Sequence, residues 1–332
     1  MDTRGGAVDV GMSRRSTADR PVSSTLRRAW RLIVRPVWNR DQRRLRAPLR
    51  ALVPLVASFL ALALLQPVVG AQFDHPLREV VEAVGLAAIL LGTVLGSARL
   101  LDRRPVAAYG FAFDREWWRS AAAGAAVATA VNAGALVVAL SAGWATITGF
   151  AGGAGALPFP AAMAVVFAYV AVAASWEEFI FRGAMLGNVA EGIDGYVPRW
   201  AALGVAVLGS AVVFATLHAG KVTAPGQYGY YLLAGLVFGV VYALTGELAL
   251  PIGYHVCYNY TLSAVFGMGV SQQTPELLVV DLVGPTRWVG DAGLLHVGFT
   301  VVGAAAMVAY VRWRDGHLRV SDRVPHWTPP EG

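Results

Sequence analysis

The sequence predicts an all-α fold, a polytopic bundle of about eight transmembrane helices with both termini in the cytoplasm. Hydrophobic residues make up 56% of the chain and charged residues only 14%, whereas a soluble domain carries nearer a quarter of charged residues. The apolar runs are about 20 residues long, as membrane-spanning helices require, and they do not alternate as barrel strands do. The composition therefore excludes a soluble enzyme and predicts a multi-pass protein of the cell membrane.

Eight apolar runs follow one another, and Gly, Pro or charged residues separate them. They cover about residues 49–69, 80–100, 121–141, a fourth run that starts near 161, 200–218, 228–244, 248–266 and 292–311. The third run is rich in Ala and Gly, which favours close helix packing. Residues 143–160 and 267–291 are interpreted as loops. The predicted domains are a basic arm at 1–48, a bundle at 49–313 and a tail at 314–332.

The distribution of charged residues predicts the orientation of the bundle in the membrane and the role of the basic arm. The first 48 residues contain twelve Arg and four Asp. We interpret them as a cytoplasmic anchor on anionic lipid, with a short interfacial helix at 26–38, in preference to a nucleic-acid-binding segment. Most of the other Arg lie in the 99–119 connector and in the C-terminal tail. Because Arg is enriched on the cytoplasmic side of membrane proteins, this distribution favours cytoplasmic termini. We expect the lipid bilayer, and no nucleic acid, as a partner. The first apolar run lies too far into the chain for a cleavable signal peptide.

An acidic motif stands out at the end of the fourth apolar run, in the segment SWEEFIFRG. Ionisable residues at membrane depth are costly and indicate a functional site by default. Glu178 and Arg182 are four residues apart, on one helix face and in the order that favours an ion pair. Glu177 lies about 100° round the helix and has no such local partner. It is therefore the carboxylate free to face a cavity and to handle protons.

Two further polar motifs lie on the fifth and seventh runs. FATLH places Phe214 and His218 four residues apart, and HVCYN does the same for His255 and Asn259. A histidine at a helix end is as often an interface residue as a functional one, and a His–Asn pair can simply join two helices. Three spans with titratable groups favour function. Asn132, His296 and the single cysteine, Cys257, are interpreted as packing or helix-joining residues.

Together these residues can hydrolyse a bond without a covalent intermediate. A carboxylate with a histidine can deprotonate a bound water. A histidine and an asparagine can donate hydrogen bonds to the oxyanion that forms. The sequence contains no HExxH motif, no nucleophile elbow and no phosphate loop.

The three motifs resemble EExxxR, FxxxH and HxxxN of the CAAX-protease and bacteriocin-processing family, which includes the endopeptidase that trims prenylated Ras-type proteins. The resemblance covers residues 98–267, including the DRRPVAAYGF connector. It implies an intramembrane glutamate-dependent endopeptidase of eight helices, acting on a membrane-anchored CAAX-like or other protein. The resemblance further implies that Glu177 and His218 activate water, that His255 and Asn259 stabilise the oxyanion, and that Glu178 and Arg182 support them.

Several alternatives stay open at this point. We expect no cofactor, but Glu177, His218 and His255 are chemically suited to a zinc site. A non-catalytic immunity or scaffold protein, or a proton-coupled transporter, would use the same polar cavity. Simple spans also place Glu177 near the cytoplasmic end of the fourth run and His218 at the far end of the fifth. At 1.5 Å per residue they would lie roughly 20 Å apart along the membrane normal, so the site requires a re-entrant 191–199 segment or different span boundaries.

Overall fold

The computed structural model describes residues 37–74, 77–221, 225–269, 274–290 and 293–324. Within these ranges the fold is the predicted all-α polytopic bundle, with eight principal helices. They are α1 (Ala47–Gln72), α2 (Leu77–Asp102), α3 (Arg115–Ser141), α4 (Phe159–Ile193), α5 (Arg199–Leu217), α6 (Pro225–Thr245), α7 (Ala249–Tyr260) and α8 (Leu294–Asp315). Every helix except α7 is long and apolar enough to cross a membrane. A π-helical turn, Thr261–Val265, extends α7.

Helix α4 corrects the predicted depth of the acidic motif. It does not end soon after the motif but continues through a π-helical turn, Phe179–Leu186, to Ile193. Glu177 therefore lies 16 residues before the end of α4, and His218 lies 19 residues after the start of α5 at Arg199. Because α4 and α5 run in opposite directions from one short turn, the two residues reach a similar depth. No re-entrant segment is needed.

Helices α3 and α7 approach so closely that their backbones touch. A Cβ at Gly253 would lie 1.9 Å from the carbonyl oxygen of Ala121, and one at Gly124 would lie 2.4 Å from that of Leu250. This agrees with the predicted role of the small residues in the third span. The buried Asn132 donates to the carbonyl oxygen of Tyr258 at 2.9 Å and to the Thr261 hydroxyl at 2.8 Å. Asn132 thus joins α3 to α7, as predicted, and fixes the position of α7 along its own axis.

The two long segments predicted as loops contain strands. Residues Ala145–Gly152 form β3 and residues Glu276–Leu282 form β4, which pair antiparallel with a register shift between Ile147 and Gly149. The prediction missed them because both segments are short and lie outside the apolar runs. This sheet contacts the end of α7, where a Cβ at Gly267 would lie 2.1 Å from the carbonyl oxygen of Leu278. The sheet therefore marks the end of the bundle at which α3, α5 and α7 finish.

The end of the basic arm belongs to the folded structure. Residues Trp38–Asn39 and Arg44–Leu45 pair as strands β1 and β2. The Arg44 guanidinium is fully buried and pairs with Glu191, and burial lowers its pKa to about 10 although Glu191 opposes the shift. Most of the arm, and most of the predicted interfacial helix at 26–38, lies outside the described residues.

Arg44 is one of several charged residues in a buried network that ties α1, α2 and α4 together. Glu191 also accepts from Arg50 at 2.7 Å and from Arg104 at 2.7 Å. Asp102 accepts from Arg50 at 2.8 Å, from the Tyr109 hydroxyl and from Asn188 at 3.2 Å. Burial is the main cause that raises the pKa of Tyr109. We call this set the Arg–Glu network; its members are Arg44, Arg50, Asp102, Arg104, Tyr109, Asn188 and Glu191.

The described residues nearest to both termini lie at the same end of the bundle. Arg44 contacts Glu191, just before the turn between α4 and α5, and Arg199, just after that turn, pairs with Asp322 in the tail. Ser321 donates its backbone N–H to the carbonyl oxygen of Ala243 near the end of α6. We call this the terminal end and the opposite one, with β3 and β4, the sheet end.

Candidate active site

The three predicted motifs converge on one cavity inside the bundle. Residues from five helices line it: Glu177 from α4, Phe214 and His218 from α5 and its C-cap, Tyr230, Tyr231, Ala234, Val237 and Phe238 from α6, Tyr254, His255, Tyr258, Asn259, Leu262 and Ser263 from α7 and its π turn, and Thr300 from α8. The cavity offers about 100 Å³ to the centres of water molecules, whereas a single buried water needs about 10–15 Å³. It is therefore large enough for several waters or for a stretch of peptide.

Glu177 occupies the centre of the three motifs. Its Oε2 atom lies 3.9 Å from Nε2 of His218 and 3.9 Å from Nε2 of His255. That oxygen is buried and has no hydrogen-bond partner among the described residues. A separation of 3.9 Å is too long for a direct hydrogen bond, and a water is the usual bridge across such a gap. The carboxylate is thus positioned to hold a water against both imidazoles.

His255 is held by the second carboxylate of the motif. Its Nδ1 contacts Oε1 of Glu178 at 2.8 Å, and the same oxygen accepts from Arg182 at 3.0 Å. Because an ionised carboxylate only accepts, Nδ1 carries a proton and Nε2 faces Glu177. The ring also stacks on Phe238, with centroids 5.2 Å apart. Glu178 therefore fixes both the tautomer and the orientation of His255.

The Glu178–Arg182 pair is completely buried. Both side chains have zero exposure. The Arg182 guanidinium also donates to the carbonyl oxygen of Gly235 at 3.3 Å and lies over the rings of Phe214 and Phe238, at 4.8 and 5.1 Å from their centroids. A buried ion pair of this kind needs such additional partners. Phe214, the aromatic residue of the second motif, thus supports the cation of the first.

His218 is fixed in the same way by its own helix. Its Nδ1 lies 2.8 Å from the carbonyl oxygen of Phe214, and since a carbonyl only accepts, Nδ1 is the donor. The ring stacks on Tyr231 with centroids 4.4 Å apart. Nε2 is therefore the nitrogen that faces Glu177.

Asn259 follows His255 by one helical turn and lines the same cavity. Asn132 donates to the carbonyl oxygen of Tyr258, just before Asn259, and to the side-chain hydroxyl of Thr261, just after it. The structure therefore brings all four predicted catalytic residues, Glu177, His218, His255 and Asn259, to one cavity, with Glu178 and Arg182 behind them.

Sequence reasoning missed the aromatic and hydroxyl groups of the wall. Tyr254 and Thr300 line the cavity, and the buried hydroxyl oxygen of each has no partner among the described residues. Tyr230 donates to the Tyr258 hydroxyl at 2.8 Å. The repeat of Tyr254 and Tyr258 at four-residue spacing was a signal for this wall. Thr300 stands in a span with no motif and gave no such signal.

The donor set at Glu177, His218 and His255 resembles that of catalytic zinc sites in residue type. Among the described residues, however, no group of three or more His, Cys, Asp or Glu side chains is arranged to hold a metal ion. Two ligands of a tetrahedral zinc lie about 3.3 Å apart, so a separation of 3.9 Å would have to shorten. The side chains as placed do not fit a bound zinc ion.

Comparison with known proteins agrees with the motifs. A sequence model of the family "Type II CAAX prenyl endopeptidase Rce1-like" matches residues 159–261. Searches of curated proteins and of solved structures found no match. The matched segment begins with α4, contains all three motifs and ends one residue into the π turn after α7. The predicted resemblance is therefore confirmed over residues 159–261, where this multi-pass membrane protein is similar to the Rce1-like CAAX-protease family.

Proposed function

We propose that the chain is an intramembrane endopeptidase that hydrolyses a peptide bond of a membrane-anchored protein with a water activated by Glu177. One observation carries this proposal: Oε2 of Glu177 is buried, has no hydrogen-bond partner within the part of the chain that the structure describes, and lies 3.9 Å from Nε2 of two histidines. A buried carboxylate without a partner is costly. Catalysis explains why the fold keeps one here, because a water between these groups would satisfy the oxygen and be deprotonated by it.

The tautomers of the two histidines restrict how protons are arranged. Both rings use Nδ1 as a donor, to Glu178 and to the Phe214 carbonyl. If both rings were neutral, two Nε2 lone pairs and a carboxylate would face one another. A water has only two protons to donate, so one water alone cannot satisfy all three acceptors. The proton that Glu177 and His218 take from the attacking water is then available to the leaving amine.

The other side of the cavity supplies oxyanion stabilisation. When His255 is protonated, Nε2 donates while Glu178 accepts from Nδ1 and balances the charge. The Asn259 carboxamide, one turn further along α7, is the second donor. Donors held in place before the reaction stabilise the developing negative charge without reorganisation, and one such donor contributes about 10²–10³ in rate. The Asn132 bonds that fix α7 supply this rigidity.

The proposal is tested by replacing Glu177 with Gln, which preserves shape and removes the base. Membranes containing the wild type or Glu177→Gln are compared by mass spectrometry of protein termini, and cleavage of a prenylated CAAX peptide is measured in parallel. We expect the abundance of the protein termini that the wild type generates to fall by about 10²–10⁴-fold in the variant, because this is the usual contribution of a general base.

A matched control is Glu82→Gln. The exposed fractions of the Glu82 and Glu177 side chains are similar, 17% and 20%, but Glu82 pairs with Arg78 away from the cavity. This control should cleave like the wild type. If Glu177→Gln is folded and generates the same termini at the same rate as the wild type, the endopeptidase proposal is wrong. A non-catalytic immunity or scaffold role then becomes the better account of the cavity.

A further inference from the structure

We infer that the cavity is entered from the non-cytoplasmic face of the membrane and that the substrate is an exported, membrane-anchored polypeptide. The inferred substrate class rests on the proposed function, whereas the direction of entry follows from the fold and the charges alone. Two independent observations lead to it: the end of the bundle at which buried packing closes the cavity, and the end at which the cations lie.

The cavity lies towards the sheet end. His218 caps the end of α5, Tyr230 and Tyr231 lie in the early turns of α6, Ser263 lies in the π turn that ends α7, and Thr300 is the seventh residue of α8. All five line the cavity. The described parts of the connections between these helix ends, residues 218–221, 266–269, 274–290 and 293, lie at the sheet end. Part of the wall is therefore built from the helix ends of that side, while Glu177 lies deeper, 18 residues after the start of α4 at Phe159.

Towards the terminal end the cavity is closed. Every residue of the π turn Phe179–Leu186 is buried, including Arg182. Leu248, Ala249 and Leu250, at the start of α7, are buried as well. Beyond them, the Arg–Glu network fills the space between α1, α2 and α4. Entry to Glu177 from this side would require the packing of α4 against α5 and α7 to open.

The cations are concentrated at the terminal end. Among the described residues, fifteen Arg lie in the segments or first and last helical turns of that end, against two Arg and one Lys at the sheet end. The fifteen are Arg40, Arg43, Arg44, Arg46, Arg50, Arg99, Arg103, Arg104, Arg115, Arg119, Arg199, Arg312, Arg314, Arg319 and Arg323; the three are Arg78, Lys221 and Arg287. Lys and Arg in short loops and flanks stay in the cytoplasm. The terminal end is therefore cytoplasmic.

Exposed tryptophans agree with this placement of the bundle in the membrane. Trp118, Trp200 and Trp313 lie within one turn or so of helix termini at the terminal end and are 59%, 75% and 78% exposed. Tryptophan at such positions is typical of the membrane–water interface. At the sheet end, Trp144 stacks on Trp288. The two aromatic levels bracket the apolar helices, and Glu177 lies between them.

The direction of entry selects the class of substrate. A prenylated C-terminus in the cytoplasm would meet the closed end of the cavity. A chain that has been exported and remains anchored by a span or a lipid presents its juxtamembrane residues at the sheet end instead.

The direction of entry is tested by cysteine labelling, without an activity assay. In a Cys257→Ser background, single cysteines are introduced as Ser263→Cys in the cavity, Arg287→Cys at the sheet end and Tyr196→Cys at the terminal end. Tyr196 is 85% exposed in the turn between α4 and α5, and Arg287 is also exposed. A membrane-impermeant, sulfonated maleimide is applied to right-side-out and to inverted membrane vesicles.

We expect Ser263→Cys and Arg287→Cys to react several times more strongly in right-side-out vesicles, and Tyr196→Cys to react more strongly in inverted ones. The opposite pattern, or labelling of Ser263→Cys that is equal on both sides or confined to inverted vesicles, overturns the inference. Because Glu177→Gln tests hydrolysis separately, an active enzyme with a cytoplasmic cavity refutes only the direction of entry.

The substrate class is tested by the protein termini that the wild type generates and the Glu177→Gln variant does not. They should map to segments of exported proteins on the non-cytoplasmic side of a span or lipid anchor. Termini that map only to cytoplasmic segments would contradict the inference even if hydrolysis itself is confirmed.

Discussion

Among the described residues the bundle contains two clusters of buried charge, and they differ in whether all their carboxylate oxygens have hydrogen-bond partners. In the Arg–Glu network, both oxygens of Glu191 and both of Asp102 accept hydrogen bonds. In the cavity, Oε2 of Glu177 and Oε2 of Glu178 are buried without a partner among the described residues. Both clusters combine arginine with carboxylates at helix faces, so residue types alone do not separate them.

The difference indicates what each cluster is for. A network whose carboxylates are satisfied recovers much of the cost of burying charge through hydrogen bonds and holds elements in one arrangement. An unsatisfied carboxylate retains that cost, and such groups concentrate where a ligand or water completes them. The Arg–Glu network accordingly fixes α1, α2 and α4, whereas Glu177 is the carboxylate that we propose reacts. Substitutions should therefore separate stability from activity between the two clusters.

The largest effect is expected from Arg182→Leu, because this change leaves Glu178 buried without its cation. Breaking a buried pair in this way costs about 3–5 kcal/mol, and Arg182 also contacts Phe214 and Phe238. We expect little folded protein, measured as the fraction that stays monodisperse in detergent on heating.

The double variant Glu178→Gln/Arg182→Met provides the control for Arg182→Leu. Removing both charges should restore much of the stability, but cleavage should stay low because His255 loses the carboxylate on Nδ1. A stable Arg182→Leu protein with normal cleavage would contradict the role assigned to this pair.

A smaller loss of stability is expected from Glu191→Gln. This change removes the charge shared by Arg44, Arg50 and Arg104, so we expect destabilisation by about 3 kcal/mol. Cleavage per folded molecule should remain that of the wild type. Glu177→Gln should show the converse, unchanged or slightly raised thermal stability with cleavage lost, since it neutralises an unpartnered buried carboxylate. Equal losses of activity in the two variants would remove the distinction between the clusters.

Much of the cavity was predictable because its chemistry repeats at helical spacing. Glu178 and Arg182, and His255 and Asn259, are four apart, so the sequence places each pair on one helix face. Hydropathy likewise predicted the helical bundle, although α7 is shorter than the other helices. What spacing does not contain is the distance between helices. That Glu178 contacts His255 as well as Arg182 depends on how α4 and α7 pack.

The Arg–Glu network escaped prediction for a related reason. Arg44 lies in an Arg-rich stretch that has the composition of a lipid anchor, and its partner Glu191 is 147 residues away. No local pattern distinguishes a buried arginine from the exposed Arg43 and Arg46 beside it. The π turn after Glu178 escaped as well, because apolar residues continue through it without a change of pattern. As a consequence α4 was predicted to end early and Glu177 was placed at the wrong depth.

The smallest effect is expected from removing metal ions, and this outcome tests what completes the unpartnered oxygen of Glu177. If a water does so, cleavage should be unchanged after incubation with EDTA or 1,10-phenanthroline, because Glu177 and His218 supply the base themselves. If a zinc ion does so, the three side chains must move together by a few tenths of an ångström, from 3.9 Å to about 3.3 Å. Chelation would then abolish cleavage, and added zinc would restore it. The Arg–Glu network has no histidine and no unpartnered carboxylate oxygen. The thermal stability that it supplies should therefore not change on chelation in either case. A loss of cleavage without a loss of thermal stability would locate the metal at Glu177.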